Sequence, residues 1–359
     1  PLAEKMVLFW HGHLCSALGK VHDHRLMFDQ NQLFRSHGLG SFGSLMQAVS
    51  IQPAMLLYLD NAANTAHSPN ENFAREVKEL FMLGVGNYTE DDVRAAARAW
   101  TGHGLTEVGD TMVYAFHSGE HDHEPKTFMG VTRNWNGPEI IDHLLTVEPH
   151  RTRVARFVAR ELWAFLAYPE PDPAVVDSVA TRFRDSGYDI TALKRAILLH
   201  PEYRSARARN ALVRSPIEFA VAAMRHTGLP ASETNLWTLR NMGQQPYDPP
   251  NVAGWGQNNY WISAPATWAK ATFASQVRWR AQDLTPLLEN TAALSPQAAA
   301  DTALAQFGIE TPSTVTRNAL TDYVASVRDH HNAANGWIGW SERSGLLYLP
   351  LLTPEFQLA

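Results

Sequence analysis

The stretch Asn70–Gly102, NENFAREVKELFMLGVGNYTEDDVRAAARAWTG, decides the fold class. A helical residue turns by about 100°, so apolar residues three and four apart share a face. In the first half Phe73, Val77, Leu80 and Phe81 line up in this way. The second half opens with Thr89 as an N-cap and three acidic residues in the first turn, and it stops at Gly102. The same grammar recurs along the chain. RTRVARFVARELWAFLA and DPAVVDSVATRFRDSG are amphipathic, the second ending at Gly187. DITALKRAILLHPEY is capped by Asp189 and halted before Pro201. SPIEFAVAAMRHTGLP has Ser215 as cap, Pro216 at the first helical position and Gly228 as stop. Long alternating strand runs are scarce. The expectation is an all-α, multi-helix orthogonal bundle with long ordered loops and little or no β-sheet.

The chain has 359 residues, 45% of them hydrophobic and 18% charged, which is ample for a large core. We expect a single compact unit in three parts: an N-terminal helical part (1–145), a middle part (146–285) and C-terminal helices (286–359). The net charge of −6 and the lack of a basic stripe argue against nucleic acid as a partner. Cys15 is the single cysteine, so an intramolecular disulfide and any all-thiolate metal site are excluded. No apolar run reaches membrane-spanning length. The sequence contains no signal peptide, and a start at Pro1 reads as a processed or trimmed product.

Two long segments lack helical periodicity, 103–137 and 243–265, and both carry aromatics. Loops of that length are usually functional or disordered, and the aromatics favour the former. Trp255, Trp261, Trp337 and Trp340 sit among Gly and Asn. They suit either contact with a sugar or aromatic ligand, or plugging of the loops onto the helical core, the plainer reading.

The segments MVLFWHGHL, SIQPAMLLYLDN, PNENFAREVKELFMLGVGNYTEDDV, ARAWTG, HDHEPKTFMG, YDPPNVAGW and TPEFQLA occur in this order over nearly the whole chain. In this it resembles a large bacterial family, domain of unknown function 1800. The resemblance implies an exported protein, often encoded beside a sulfatase-like partner family; it implies no reaction. The family pattern carries over onto His11, His13, Asp60, Asn61, Asn70, Glu71, Asn72, Arg75, Glu76 and Glu79. It extends to His121, Asp122, Lys126, Pro249, Pro250, Asn251, Gly254 and Trp255. This chain departs from it at Leu14, usually an aromatic, and at His103, usually Trp; the latter adds an imidazole near the suspected site.

The chemistry rests on His-x-His pairs and one carboxylate. On one regular helix His11 and His13 point roughly 200° apart. They share an ion only if the helix ends at Gly12, a poor helix-interior residue. His121 and His123 form a second pair in an acceptor-rich loop with Asp122 and Glu124 interleaved. Imidazole and carboxylate suit a first-row metal; the plain alternative is a solvated polar loop. Glu76 falls on the rim of the buried helix face, where a carboxylate is costly unless paired or metal-bound. It reads as a ligand, a general base, or one half of a structural ion pair with Arg98 or Lys126.

The expectation is therefore a metal site built from His11, His13, Glu76, His121 and Asp122. Zinc, copper or iron would activate water or oxygen there, with Glu76 as catalytic base and Lys126 and Arg75 stabilising an anion. The substrate, a small molecule or polymer, and the choice between hydrolase and oxidoreductase are left open. The alternative is a non-catalytic binding or assembly protein with structural histidines, a partner of the sulfatase-like family. A non-covalent haem in the bundle is a third reading.

Overall fold

In the computed structural model, residues 2–281, 291–330 and 337–359 are described. The described chain is overwhelmingly helical, with two small two-stranded sheets, so the all-α expectation holds. No helix among the described residues is long and apolar enough to cross a membrane.

The chain divides into two compact units. This is not the three-part division read from the sequence. The first unit comprises Pro1–Ala208 together with Tyr247–Trp255; the second comprises Arg209–Pro246 and Gly256–Ala359. The segment 243–265 is thus split between them, with YDPPNVAGW belonging to the first.

The first unit opens with α1 (Leu2–His13), the short α2 (Leu18–Val21), α3 (His24–His37), α4 (Phe42–Ser50) and α5 (Pro53–Tyr58). Next comes α6 (Asn72–Glu76), which runs without a break into a π-helical segment, Val77–Met82, and then α7 (Glu90–Ala99). After the two sheets follow α8 (Gly137–Thr146), α9 (His150–Leu166), α10 (Pro173–Asp185) and α11 (Ile190–Leu198). Caps lie where the sequence places them. The Thr89 side chain accepts from the Asp92 amide while Asp92 accepts from the Thr89 amide, a reciprocal capping box that satisfies two otherwise orphaned donors. Trp10, Phe34, Phe42, Trp100, Trp135 and Trp163 form its fully buried centre.

The segment 103–137 is not an irregular loop. β1 (His103–Val108) pairs antiparallel with β2 (Thr111–Phe116), and β3 (Lys126–Phe128) with β4 (Val131–Arg133). Both hairpins are tight, with Gly109 and the pair Met129–Gly130 at positive φ.

The second unit contains α12 (Pro216–Thr227), α13 (Glu233–Asn241), α14 (Ala264–Ala281), α15 (Pro296–Gln306), α16 (Thr314–His330), α17 (Trp337–Leu352) and α18 (Pro354–Gln357). Its core gathers Phe219, Phe273, Phe307, Leu346, Leu347 and Phe356. Trp255 and Trp261 are buried, as the plugging role requires. The Trp340 ring packs tilted against Trp279, centres 5.0 Å apart, and the side chain of Trp337 lies outside the described residues.

The π-helical turn alters the face predicted for the asparagine–glutamate helix. The Leu83 amide bonds back to the Lys78 carbonyl, an i→i+5 step, so regular α-helical spacing no longer holds after Val77. Phe73, Val77 and Phe81 are buried as expected, but Lys78 is buried completely as well. Its ammonium donates to the Ala74 carbonyl and lies 5.8 Å from the Phe128 ring centre. Burial pulls its pKa down to about 7. Between that value and the unfolded lysine's roughly 10.4, the unfolded chain holds a proton that the folded one has shed. Stability attributable to Lys78 therefore rises with pH across this window. We predict that Lys78→Met raises stability at pH 7 and removes that part of the rise between pH 7 and 9. Urea unfolding of both proteins at the two pH values measures it; an unchanged pH slope would contradict the assignment.

Candidate functional site

His11 and His13 are the last turn of α1, which continues through Gly12 rather than ending there. The condition for a shared ion is therefore not met. The two rings diverge and each is engaged. The Tyr247 amide donates to His11 Nε2 at 3.0 Å, which uses the lone pair a metal would need. The His11 ring packs against Tyr247 and Trp255, and burial lowers its pKa to about 4, so it is a neutral acceptor. His13 Nε2 bonds to the Phe81 carbonyl at 3.1 Å, acting as donor because a carbonyl only accepts. Its ring stacks on Phe9. Burial lowers its pKa also.

The second His-x-His sits apart from the first in its partners. His121 Nδ1 donates to the Thr101 carbonyl at 2.8 Å, and its ring meets His103, Phe116 and His123. His103 is buried with both nitrogens occupied, by the Tyr114 hydroxyl at 2.9 Å and Asn136 Oδ1 at 3.0 Å. His123 bonds to the Ser118 carbonyl. Asp122 receives a two-pronged bond from Arg98, at 2.6 and 3.2 Å. Burial pushes its pKa up, but Arg98, the Glu124 amide and Lys126 together bring it below the ordinary value. Lys126 is buried and donates to the Asp122 carbonyl and to Asn134. Arg75 turns outward, clamped by Glu90 and Glu71.

The expected convergence of His11, His13, His121, Asp122 and Glu76 is therefore not what the side chains do. Among the described residues, no group of three or more His, Cys, Asp or Glu is placed to hold a metal ion. The ion pair considered for Glu76 does not form either, since Arg98 belongs to Asp122 and Lys126 to the backbone.

What remains is Glu76 itself. The residue is half-buried, and its carboxyl has no hydrogen bond or ion pair among the described residues. Burial first, then the charge of Glu79, pushes its pKa above the ordinary value, while Arg75 opposes the shift. Around it stand groups that the His-x-His pattern did not single out. Cys15 is buried, and its thiol donates to the carbonyls of Val252 and Asn251 at 3.2 and 3.5 Å. Burial pushes that thiol up to about 12, with Glu76 adding to the effect. Tyr58 is likewise pushed up to about 12 by burial and by Cys15, Glu76 and Asp248. At the rim, Asp60 accepts from Lys20 at 2.8 Å and from Asn72 at 3.2 Å.

Four separate segments are thus drawn to one place: the end of α1, the end of α5, the Asn72–Glu76 helix and the YDPPNVAGW loop. The loop is locked by backbone contact. Gly254 has φ +77°, and a Cβ there would meet the Gly12 carbonyl oxygen at 2.1 Å, so no other residue fits without displacement. A groove of about 870 Å³ runs beside this centre, lined by Glu79, Arg153, Arg156, Arg160, Glu161 and Ala253 among others.

The fold and this centre define a helical protein that assembles a protonatable cluster from four distant segments. The chain belongs to the family described as protein of unknown function (DUF1800), whose profile matches residues 1–358. No curated protein and no solved structure matches it.

Two outcomes follow from the geometry. Gly254→Ala should lower stability by about 1–3 kcal/mol or more, from its positive φ and the clash with Gly12, as measured by urea unfolding. His11→Ala and His13→Ala should each cost about 1–3 kcal/mol from the hydrogen-bond partner left behind. That loss should be equal in chelator-treated and zinc-supplemented buffer; a zinc-dependent difference would restore them as ligands.

Proposed function

We propose that the chain is an exported enzyme in which Glu76 moves a proton to or from a hydroxyl-bearing substrate. The observation that supports this reading is the state of the Glu76 carboxyl: half-buried, unpaired among the described residues, and shifted upward. An unpaired carboxylate in such a place costs stability, and groups of this kind concentrate where acid–base chemistry is done. The Tyr58 hydroxyl stays protonated at neutral pH and has no hydrogen-bond partner among the described residues. It is suited to hold a substrate oxygen while Glu76 exchanges the proton. Export rests on the family resemblance.

A zinc, copper or iron ion would need the His11 Nε2 lone pair that the Tyr247 amide already occupies. Among the described residues no three His, Cys, Asp or Glu are placed to hold an ion, so the residues present do not fit that group and no step is routed through one. Lys126 and Arg75, first candidates for anion stabilisation, are engaged in structural bonds and are given no catalytic part.

A second reading, a binding or assembly protein that could partner the sulfatase-like family, is favoured by the structural use of the histidines. It is favoured also by the arginine-bearing groove beside Glu79. Turnover separates the two. Wild type, Glu76→Gln and Glu71→Gln are compared on a panel of chromogenic glycosides and esters. A substrate that is turned over should lose about 100-fold or more in kcat in Glu76→Gln and little in Glu71→Gln. Equal turnover by Glu76→Gln would remove Glu76 from the chemistry, and binding without turnover would favour the second reading.

A further inference from the structure

The second unit holds an apolar cavity of about 340 Å³ with a lysine in its wall. Val213, Trp261, Ile262, Leu352, Pro354 and Leu358 supply the apolar lining. Lys270 enters from α14 and is only 4% exposed. Its ammonium donates to Gln357 Oε1 at 2.9 Å and to the Arg214 carbonyl at 3.3 Å. Both acceptors are neutral, and a lysine ammonium has three protons to place.

Among the described residues, no carboxylate lies within ion-pair distance of Lys270, and no Asp or Glu lines the cavity. The charged neighbour is a second cation. Arg214 donates to the Phe356 carbonyl at 2.9 Å and sits 4.7 Å from the Phe356 ring centre. Glu218 acts on Arg214. Burial, and secondarily Arg214, lowers the lysine's pKa to about 8, which still leaves most of it protonated at pH 7. An ammonium held away from water without a counter-charge is costly, and an anion with an apolar body would relieve that cost.

We propose that this cavity binds a small carboxylic acid, its carboxylate on Lys270 and its apolar body between Trp261, Ile262, Leu352 and Leu358. The volume is at the low end for small-molecule sites, roughly 300–1,000 Å³, which suits a short-chain aliphatic or single-ring aromatic acid. One lysine and apolar walls match a single negative charge better than phosphate, which brings more charge and more oxygens to satisfy.

Calorimetric titration of the full chain at pH 7 with octanoate, 1-octanol and inorganic phosphate tests this. Octanoate should bind about tenfold or more tighter than 1-octanol, a difference of about 1.4 kcal/mol, and phosphate should not compete with it. Lys270→Met should bind the two eight-carbon probes alike, and Lys270→Arg should keep the preference for the acid. Equal binding of octanoate and 1-octanol by the wild type would overturn the proposal without recourse to any variant. So would failure of octanoate to bind at millimolar concentration, displacement of octanoate by phosphate, or a preference that survives in Lys270→Met.

Discussion

The contact on which the site depends is a backbone-to-backbone approach, the carbonyl of Gly12 in α1 against Gly254 of the YDPPNVAGW loop. It admits no side chain on the loop partner. Once it is made, the Tyr247 amide reaches His11 and the Cys15 thiol reaches the carbonyls of Asn251 and Val252. Asp248 is then close enough to influence Tyr58. The requirement falls on Gly254 alone: a Cβ at Gly12 would meet nothing within 4 Å. His11 is thus a pin that ties a distant loop to the first helix. Its burial and neutral state follow from that task.

The isolation of Glu76 has an equally local origin. Arg75 beside it turns to the surface, where Glu90 and Glu71 hold it. Arg98 and Lys126 are both engaged around Asp122. The π-helical turn after Glu76 takes Lys78 into the core and away from the surface. Each nearby cation is paired elsewhere, which leaves one half-buried carboxyl on which Glu79 acts more strongly than Arg75. Widened helical turns of this kind are frequent at functional sites because they shift side chains out of regular register.

Much of the helical architecture was legible because caps and breakers act locally. Thr89, Asp189 and Ser215 cap their helices, and Gly228 takes the left-handed turn that ends α12. The hairpins were missed because β1 and β2 leave Val108, Met112 and Phe116 exposed, so no buried alternation marks them. The burial of Lys78 was hidden because the face was drawn for a regular α-helix. Lys270 was hidden differently: α14 carries alanines around its whole circumference, and periodicity does not tell which side is buried. The two-unit division was invisible because the chain returns to the first unit only for Tyr247–Trp255. The half-burial of Glu76 was legible from the helical wheel. Cys15, Tyr58 and Asp248 were not, though each lies within or beside a segment that carries the family resemblance.

The central claim is that Glu76 is an unpaired carboxyl held in a protonatable state by burial and Glu79. A carbon-detected NMR titration of side-chain-labelled glutamate, with Glu76 assigned from the Glu76→Gln spectrum, measures it directly. The account requires Glu76 to titrate above the ordinary glutamate value of 4.5 and to move downward in Glu79→Gln. A titration at or below that value, unmoved by Glu79→Gln, would contradict it.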